Sequence, residues 1–172
     1  MNNRFFTEQE FEEATIPYLN DRFLFWSWQV PAWDRVIDFA GITQLGQTIG
    51  IEYKLRDWKK AIEQAHAHRM IYDFVYICMP KQYVAAIPDA KIRGVGIIIF
   101  NGKPEVLLKP KWNTMIWEPR YRDNKKFIKH FPTHDRRNVN LNQMNELVKS
   151  YNEDILKIRT YETITKGEMK IV

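Results

Sequence analysis

Two carboxylates lie at positions where acidic side chains are rare in a folded protein. Asp38 stands in the apolar segment Arg35–Ala40, and Glu52 stands in the alternating segment Thr48–Leu55. Both segments have the pattern of β-strands. A carboxylate among apolar side chains destabilises a fold unless it is paired or binds a metal. Two of them on neighbouring strands indicate an oxygen-rich pocket suited to Mg²⁺, which takes one or two carboxylates and keeps several waters.

Lys54 follows Glu52 by two residues, so both side chains project from the same face of the strand. There a lysine can orient or help to deprotonate an attacking water, or stabilise negative charge that develops on phosphorus. The Glu-x-Lys tripeptide alone is not informative, because a second copy occurs at residues 168–170. Its context is informative: a strand with an acid, a tight turn, the tripeptide in an alternating strand, then a helix. A purely structural Asp38–Lys54 ion pair is the alternative interpretation.

The basic residues are concentrated in one part of the chain. Residues 91–137 contain twelve Lys and Arg against four Asp and Glu, a net charge of +8, whereas the whole chain carries +5. Trp112, Trp117, Tyr121 and Phe127 are interleaved with these cations. This pattern fits a surface that neutralises phosphates and stacks on bases. A solvated basic face without a ligand is the alternative.

The composition is that of a folded protein with one compact domain. The chain has 172 residues, of which 45% are hydrophobic and 14% aromatic, too many for a disordered segment. The single cysteine, Cys78, excludes an internal disulfide and a zinc site built on cysteines. No apolar run approaches the ~18–20 residues that cross a bilayer, and the first residues lack a signal peptide's apolar stretch. We expect a soluble, cytoplasmic protein without a membrane partner.

Local signals predict the elements that position these residues. Thr7 and Glu10 form a capping box for a helix that Pro17 ends or kinks, and Asp57 caps a second helix. Asn101-Gly102 is a strong hairpin signal. The predicted elements are a helix from residue 8, strands at 23–30, 35–40 and 48–55, a helix at 57–72, a strand at 73–79, a hairpin of 95–100 and 104–109, and a helix at 141–158.

The connections between these elements predict the topology. The first three strands are joined too tightly for helical crossovers, so they should form an antiparallel meander, and the helix at 57–72 should lead to a parallel fourth strand. The predicted fold class is α/β (α+β): a mixed central sheet flanked by helices in the order α-β-β-β-α-β, followed by a hairpin and a C-terminal helix. Residues 1–112 are the predicted core domain. Residues 113–172, the basic segment and the last helix, should pack on it.

Three motifs follow one another along the chain: Ile37-Asp38, Ile51-Glu52-Tyr53-Lys54, and a helix that carries Gln64. In this order they resemble the PD-(D/E)XK (restriction-endonuclease-like) nuclease superfamily. The resemblance covers roughly residues 5–110, and the spacing is most similar to archaeal Holliday junction resolvases and RecB-type nuclease domains. It implies the restriction-endonuclease-like fold and a metal-dependent endonuclease that hydrolyses DNA phosphodiester bonds through a metal-activated water.

The resemblance also implies a role for each matching residue. Asp38 and Glu52 would bind Mg²⁺, for which Mn²⁺ substitutes, with the carbonyl of Tyr53 as a further ligand. Lys54 would be the catalytic lysine. Gln64 resembles the glutamine of the Gln-x-x-x-Tyr motif on the following helix, and it would belong to the catalytic group.

The chain departs from the family pattern at two positions. Ile37 precedes Asp38 where the pattern has proline, and His68 stands where the helix motif has tyrosine. Lys60, Gln64 and His68 nevertheless lie four residues apart, on one helix face that could point at the same pocket. Exposed polar positions are the alternative for Gln64 and His68.

Other assignments stay open. An acid of the first helix assists the metal in some relatives, and Glu12 or Glu13 could have that role here. Asp34, four residues before Asp38, is an alternative acid, although it should precede the strand proper. The residues expected to contact nucleic acid are Lys60, His68, Lys109, Lys111, Arg120, Arg122, Lys125 and Lys126.

The expected partner is DNA, and nothing in the sequence decides between DNA and RNA. A homodimer is a further possibility, since cutting both strands of a duplex requires two sites, and the helix at 141–158 is a candidate contact. Two other functions stay open. One is a nucleic-acid-binding protein of the same fold without cleavage activity, and the other is a structural protein in which the acids and Lys54 form an ion-pair cluster.

Overall fold

The computed structural model describes Phe5 and residues 7–19, 21–32 and 35–130, all within one compact unit, Met1–His134. The helices of this part are α1 (Glu8–Leu19), α2 (Trp58–His68), α3 (Ala86–Arg93) and α4 (Glu118–His130). The strands are β1 (Phe23–Ala32), β2 (Arg35–Thr43), β3 (Thr48–Tyr53), β4 (Phe74–Met79), β5 (Gly96–Phe100) and β6 (Pro104–Leu108). None of the helices in the described ranges is both long enough and apolar enough to cross a membrane.

All six strands form one mixed sheet, in which they lie side by side in sequence order. β1, β2 and β3 form the predicted antiparallel meander, and α2 leads to β4, which pairs with β3 in parallel. β5 pairs with β4 in parallel and forms an antiparallel hairpin with β6, with Gly102 in the left-handed conformation at the turn (φ 78°). The predicted fold class, a mixed sheet flanked by helices with the core order α-β-β-β-α-β, is confirmed.

Local capping explains where α1 and α2 begin. The Glu10 amide donates to Thr7 Oγ1 (3.1 Å) and the Thr7 amide donates to Glu10 Oε2 (3.2 Å), which is the predicted capping box. Asp57 accepts a hydrogen bond from the Lys60 amide (3.1 Å) and caps α2. Pro17 lies inside α1, where its missing N–H removes one helical hydrogen bond, and the helix continues only two residues further, to Leu19.

The sheet has an apolar layer on each face. On one face, α1 packs against an aromatic cluster that includes Phe11, Trp28, Phe39 and Tyr53. α2 and α4 pack on the other face, where Tyr72 donates to Asn124 of α4 (2.6 Å). Glu52 is therefore enclosed between the sheet and α2, on the face opposite to the aromatic cluster.

Two of the helices were not among the predicted elements. α3 is short and contains Pro88, and Gly94 ends it in the left-handed conformation (φ 72°). α4 covers part of a segment, residues 111–138, that has no clear apolar periodicity. Its inward face carries the buried polar residues Asp123 and Asn124 beside Phe127 and Ile128, so its amphipathic pattern is obscured. Asp34 and the predicted helix at 141–158 lie outside the described residues, and the division at residue 112 stays a prediction.

Candidate active site

The site forms where β2 and β3 stop pairing. The backbone ladder between them ends at the pair Phe39–Ile51, and the same register continued by one residue would place Asp38 opposite Glu52. At this position the Asp38 carboxylate replaces the backbone ladder, since the Tyr53 amide donates to Asp38 Oδ2 at 2.8 Å. Gln29 Nε2 of β1 donates to the other oxygen, Oδ1, at 3.1 Å. Both oxygens of Asp38 thus accept hydrogen bonds from neutral donors, and the nearby cation on which its charge acts is Lys54.

Glu52 is almost completely buried, with 1% of its surface exposed. His68 Nε2 of α2 lies 3.0 Å from Glu52 Oε1, yet Oε1 accepts no aligned hydrogen bond. Gln64 Oε1, one helical turn away, is a second buried oxygen without a hydrogen-bond partner. Buried polar atoms are almost always satisfied, and an unpaired acceptor costs about 1–3 kcal/mol. Both oxygens belong to residues predicted to form the site, and a bound cation with its waters would satisfy them.

The electrostatics of Glu52 follow from burial and from its neighbour. Burial, the charge of Asp38 and a hydrogen bond between the two carboxyl groups raise the pKa of Glu52 to about 9, against a smaller lowering by Lys54. Without a cation, the pair therefore retains a proton at neutral pH. A divalent cation bound between the two carboxylates would take the place of this proton as the source of positive charge.

Lys54 is held by an acid that the sequence analysis did not single out. Its Nζ donates to Glu8 Oε2 of α1 at 2.9 Å, and 16% of its side chain is exposed. Burial alone lowers the pKa of Lys54, but the hydrogen bond to Glu8 and the charges of Asp38, Glu8 and Glu52 raise it overall. Lys54 is therefore a cation at neutral pH, which favours charge stabilisation over proton abstraction. It pairs with Glu8, so the simple Asp38–Lys54 ion pair of the structural alternative is not the arrangement found.

Of the two acids of α1 proposed beside the metal, Glu12 is the one that faces the site. It is buried, with 3% exposed, and its charge contributes to the raised pKa of Glu52. Glu13 accepts a hydrogen bond from Gln9 (3.2 Å) at the surface of the helix. Glu8 precedes Glu12 by one helical turn, and this i, i+4 spacing was the available signal for Glu8.

The helix stripe of Lys60, Gln64 and His68 divides between the site and the surface. Lys60 is exposed in the first turn of α2, whereas Gln64 Oε1 and His68 are buried. His68 is 2% exposed and contacts Glu52, so it does not lie at the surface with the cations expected to contact nucleic acid. α2 excludes solvent from this position, because it packs on the sheet here. His68 is therefore a neighbour of the buried carboxylates and not a surface residue.

Two of the remaining predicted cations, Arg120 and Lys125, lie over aromatic rings. The side chain of Trp112 is 63% exposed. The Trp117 amide donates a hydrogen bond to the carbonyl of Met70 (2.8 Å), which ties Trp117 to the chain two residues after His68. Arg120 lies over the Trp117 ring at 5.8 Å. We call the following group the basic–aromatic surface: Lys109, Lys111, Trp112, Trp117 and Arg120.

The other three cations of the predicted set lie further along α4. Lys125 lies over the ring of Tyr121 at 4.8 Å and donates to its hydroxyl at 3.0 Å. Arg122 pairs with Glu118 at 3.1 Å, and both side chains are largely exposed. Lys126 is exposed as well.

The donors expected at the site are oxygen atoms. Among the described residues, no group of three or more His, Cys, Asp and Glu side chains could hold an ion. The expected ligands are Asp38, Glu52 and the carbonyl of Tyr53, and Gln64 carries a further buried amide oxygen on α2. Two carboxylates with neutral oxygens and water are the ligands that Mg²⁺ takes, and Mn²⁺ accepts the same oxygens.

No protein-family model and no curated protein matches the chain. Among solved structures, it is similar to the SPO1766 protein of unknown function from Silicibacter pomeroyi, with a TM-score of 0.50 and 14% identity over 61% of this chain and 71% of that one. It has lower TM-scores against an EndoMS–dsDNA complex (0.45; 16% identity; 61% of this chain and 46% of that one) and a repair endonuclease from Pyrococcus abyssi (0.41; 13%; 60% and 50%). At these identities the similarity concerns the fold alone.

Proposed function

We propose that this protein is a metal-dependent nuclease that hydrolyses phosphodiester bonds of DNA. The observation that carries the proposal is the pair of buried oxygens without hydrogen bonds, Glu52 Oε1 and Gln64 Oε1, together with the carboxylate of Asp38, which Gln29 and the Tyr53 amide hold in place. Lys54, a cation held by Glu8, completes a group suited to a phosphodiester and an attacking water.

In this proposal Asp38, Glu52 and the carbonyl of Tyr53 would hold Mg²⁺ or Mn²⁺. The bound ion would activate a water and neutralise charge on the phosphate. Lys54 stabilises the negative charge that develops on the phosphate, because it is protonated and partly shielded from solvent. Gln64 orients water through its free amide oxygen, and the bulk of His68 keeps the carboxylate of Glu52 in place.

A substrate panel tests the proposal directly. Supercoiled plasmid, linear duplex, single strand, four-way junction and RNA are each incubated with the protein in Mg²⁺, Mn²⁺ or chelator. Cleavage that requires the metal supports the nuclease, and the preferred substrate defines its class. Binding without cleavage on every substrate would overturn the proposal in favour of a non-cleaving nucleic-acid-binding protein.

Glu8→Gln is expected to slow cleavage roughly tenfold, because glutamine can still accept the hydrogen bond of Lys54 but no longer offers it a negative charge. The loss of Glu8 also lowers the pKa of Lys54, so the alkaline limb of the pH–rate profile should move to lower pH. Glu13→Gln, on the same helix with only Gln9 as its described partner, is the matched control. Equal rates and equal profiles for both variants would contradict the role of Glu8.

The basic–aromatic surface is expected to bind the nucleic acid. Trp112→Ala should weaken the binding of single-stranded DNA roughly tenfold, because a base loses its stacking partner. Lys111→Gln should lower the slope of log affinity against log salt concentration by about one, because one counterion fewer is released. Leu45→Ala, at a side chain that is 84% exposed in the β2–β3 turn, is the apolar control. Fluorescence anisotropy in chelator measures binding without cleavage. Affinities for Trp112→Ala and Leu45→Ala that both equal the wild-type value would remove this surface from the proposal.

A further inference from the structure

Gln29 is the one non-glycine residue with a positive φ in the described ranges, at 50° in the middle of β1. Residues with a side chain rarely adopt this left-handed conformation, and it is unfavourable within a strand. Such strain persists where the surrounding structure requires it, and it clusters at functional sites. What the strained residue contacts therefore indicates its role.

The strain coincides with a break in the alternation of the sheet. A side chain on Gly50 would meet Ile37, whereas Ile51, the next residue, packs in the aromatic cluster with Phe39. Ile37 and Phe39 thus lie on opposite faces, although residues two apart in a strand normally share one. In β1, Val30 pairs with Ile37 and Trp28 with Phe39, so the same switch occurs at the residue between them. That residue is Gln29.

Within this register Gln29 lies directly opposite Asp38. Asp38 is the residue at which the side chains of β2 change from one face of the sheet to the other. Gln29 Nε2 donates to Asp38 Oδ1 at 3.1 Å while the Tyr53 amide donates to Oδ2 at 2.8 Å. The carboxylate is therefore clamped between β1 and β3. A carboxylate offers about four acceptor positions, so these two hydrogen bonds and the one shared with Glu52 still leave a position for a cation.

We propose that Gln29 is a positioning residue that orients the Asp38 carboxylate toward a divalent cation, and that the left-handed backbone is kept to place its amide. The inference rests on the proposed function. A neutral amide is suited to this task, because it fixes the carboxylate and leaves its negative charge in place. An arginine or a lysine would cancel that charge. Residues that support metal ligands in this way typically change metal affinity 10–100-fold when they are replaced.

Two variants separate positioning from stability. Gln29→Gly removes the amide and relieves the backbone strain, whereas Gln29→Ala removes the amide and keeps the strain. Without metal, we expect the melting temperature of Gln29→Gly to equal or exceed that of the wild type, and that of Gln29→Ala to fall below it. Both variants should bind Mn²⁺ at least tenfold more weakly than the wild type. Isothermal titration calorimetry, or the electron paramagnetic resonance signal of free Mn²⁺, measures this affinity.

Leu24→Gly, at an exposed position of the same strand, is the matched control. It should lower the melting temperature and leave Mn²⁺ affinity unchanged. Wild-type Mn²⁺ affinity in Gln29→Gly would overturn the role of Gln29 while the metal site stands. If the wild type itself binds no Mn²⁺, the proposed function and this role both fail. If the wild type binds Mn²⁺ and the Gln29 variants bind it more weakly, but no substrate is cleaved, only the proposed function fails.

Discussion

Replacing Lys54 by Met or Glu52 by Gln is expected to lower the rate of metal-dependent cleavage by about 10³-fold each. Lys54→Met keeps the apolar stem of a side chain that is 16% exposed but removes the charge that, in the proposed function, would face the phosphate. Glu52→Gln keeps the shape of a side chain that is 1% exposed but removes the charged ligand proposed for the cation. Both variants should fold, because neither changes the volume of the site.

Conversion of supercoiled plasmid to nicked and linear forms in Mg²⁺ measures this loss. Lys103→Met and Glu63→Gln make the same chemical changes at exposed positions, in the β5–β6 turn and on α2, and should cleave at the wild-type rate. Lys54→Met activity above about a tenth of wild type would contradict the charge-stabilising role of Lys54. Cleavage that survives Glu52→Gln would show that the cation is held without this carboxylate.

The second large effect concerns the stability of the metal-free protein. The pKa of Glu52 is raised to about 9 from an ordinary value of 4.5, so the folded protein keeps a proton that the unfolded chain releases above pH 4.5. The contribution of Glu52 to stability is therefore fully present below about pH 4.5. It is lost, at up to about 1.4 kcal/mol per pH unit, as the pH rises toward 9.

Glu52→Gln removes this titration, so the variant should be more stable than the wild type at pH 7, by on the order of 3 kcal/mol or roughly 10 °C. The difference should grow between pH 5 and pH 8 when unfolding is followed in chelator, and Glu63→Gln should track the wild type. Mn²⁺ should raise the melting temperature of the wild type by mass action, and that of Glu52→Gln much less. A wild-type stability that runs parallel to that of Glu52→Gln across this pH range would contradict the buried, proton-retaining pair.

Much of the fold was predictable because its signals are local. The capping box of Thr7 and Glu10, the cap at Asp57 and the turn at Gly102 each act within about four residues. The tight connections of the first three strands then left only an antiparallel meander. α4 escaped prediction because its inward face is polar. Its place is set by the hydrogen bonds of Asn124 to Tyr72 and to the carbonyl of Pro31, which lie 52 and 93 residues away.

The same division holds at the candidate site. The sequence by itself determined which residue types lie on which face of β3, since the alternation puts Glu52 on the face opposite to Ile51 and Tyr53. Only the tertiary structure decided their partners: Glu8 for Lys54, 46 residues away, and Gln29 for Asp38, across the strand pair. The physical reason is that a hydrogen bond between distant segments leaves no periodic mark on either one. It exists only once packing has brought the two segments together.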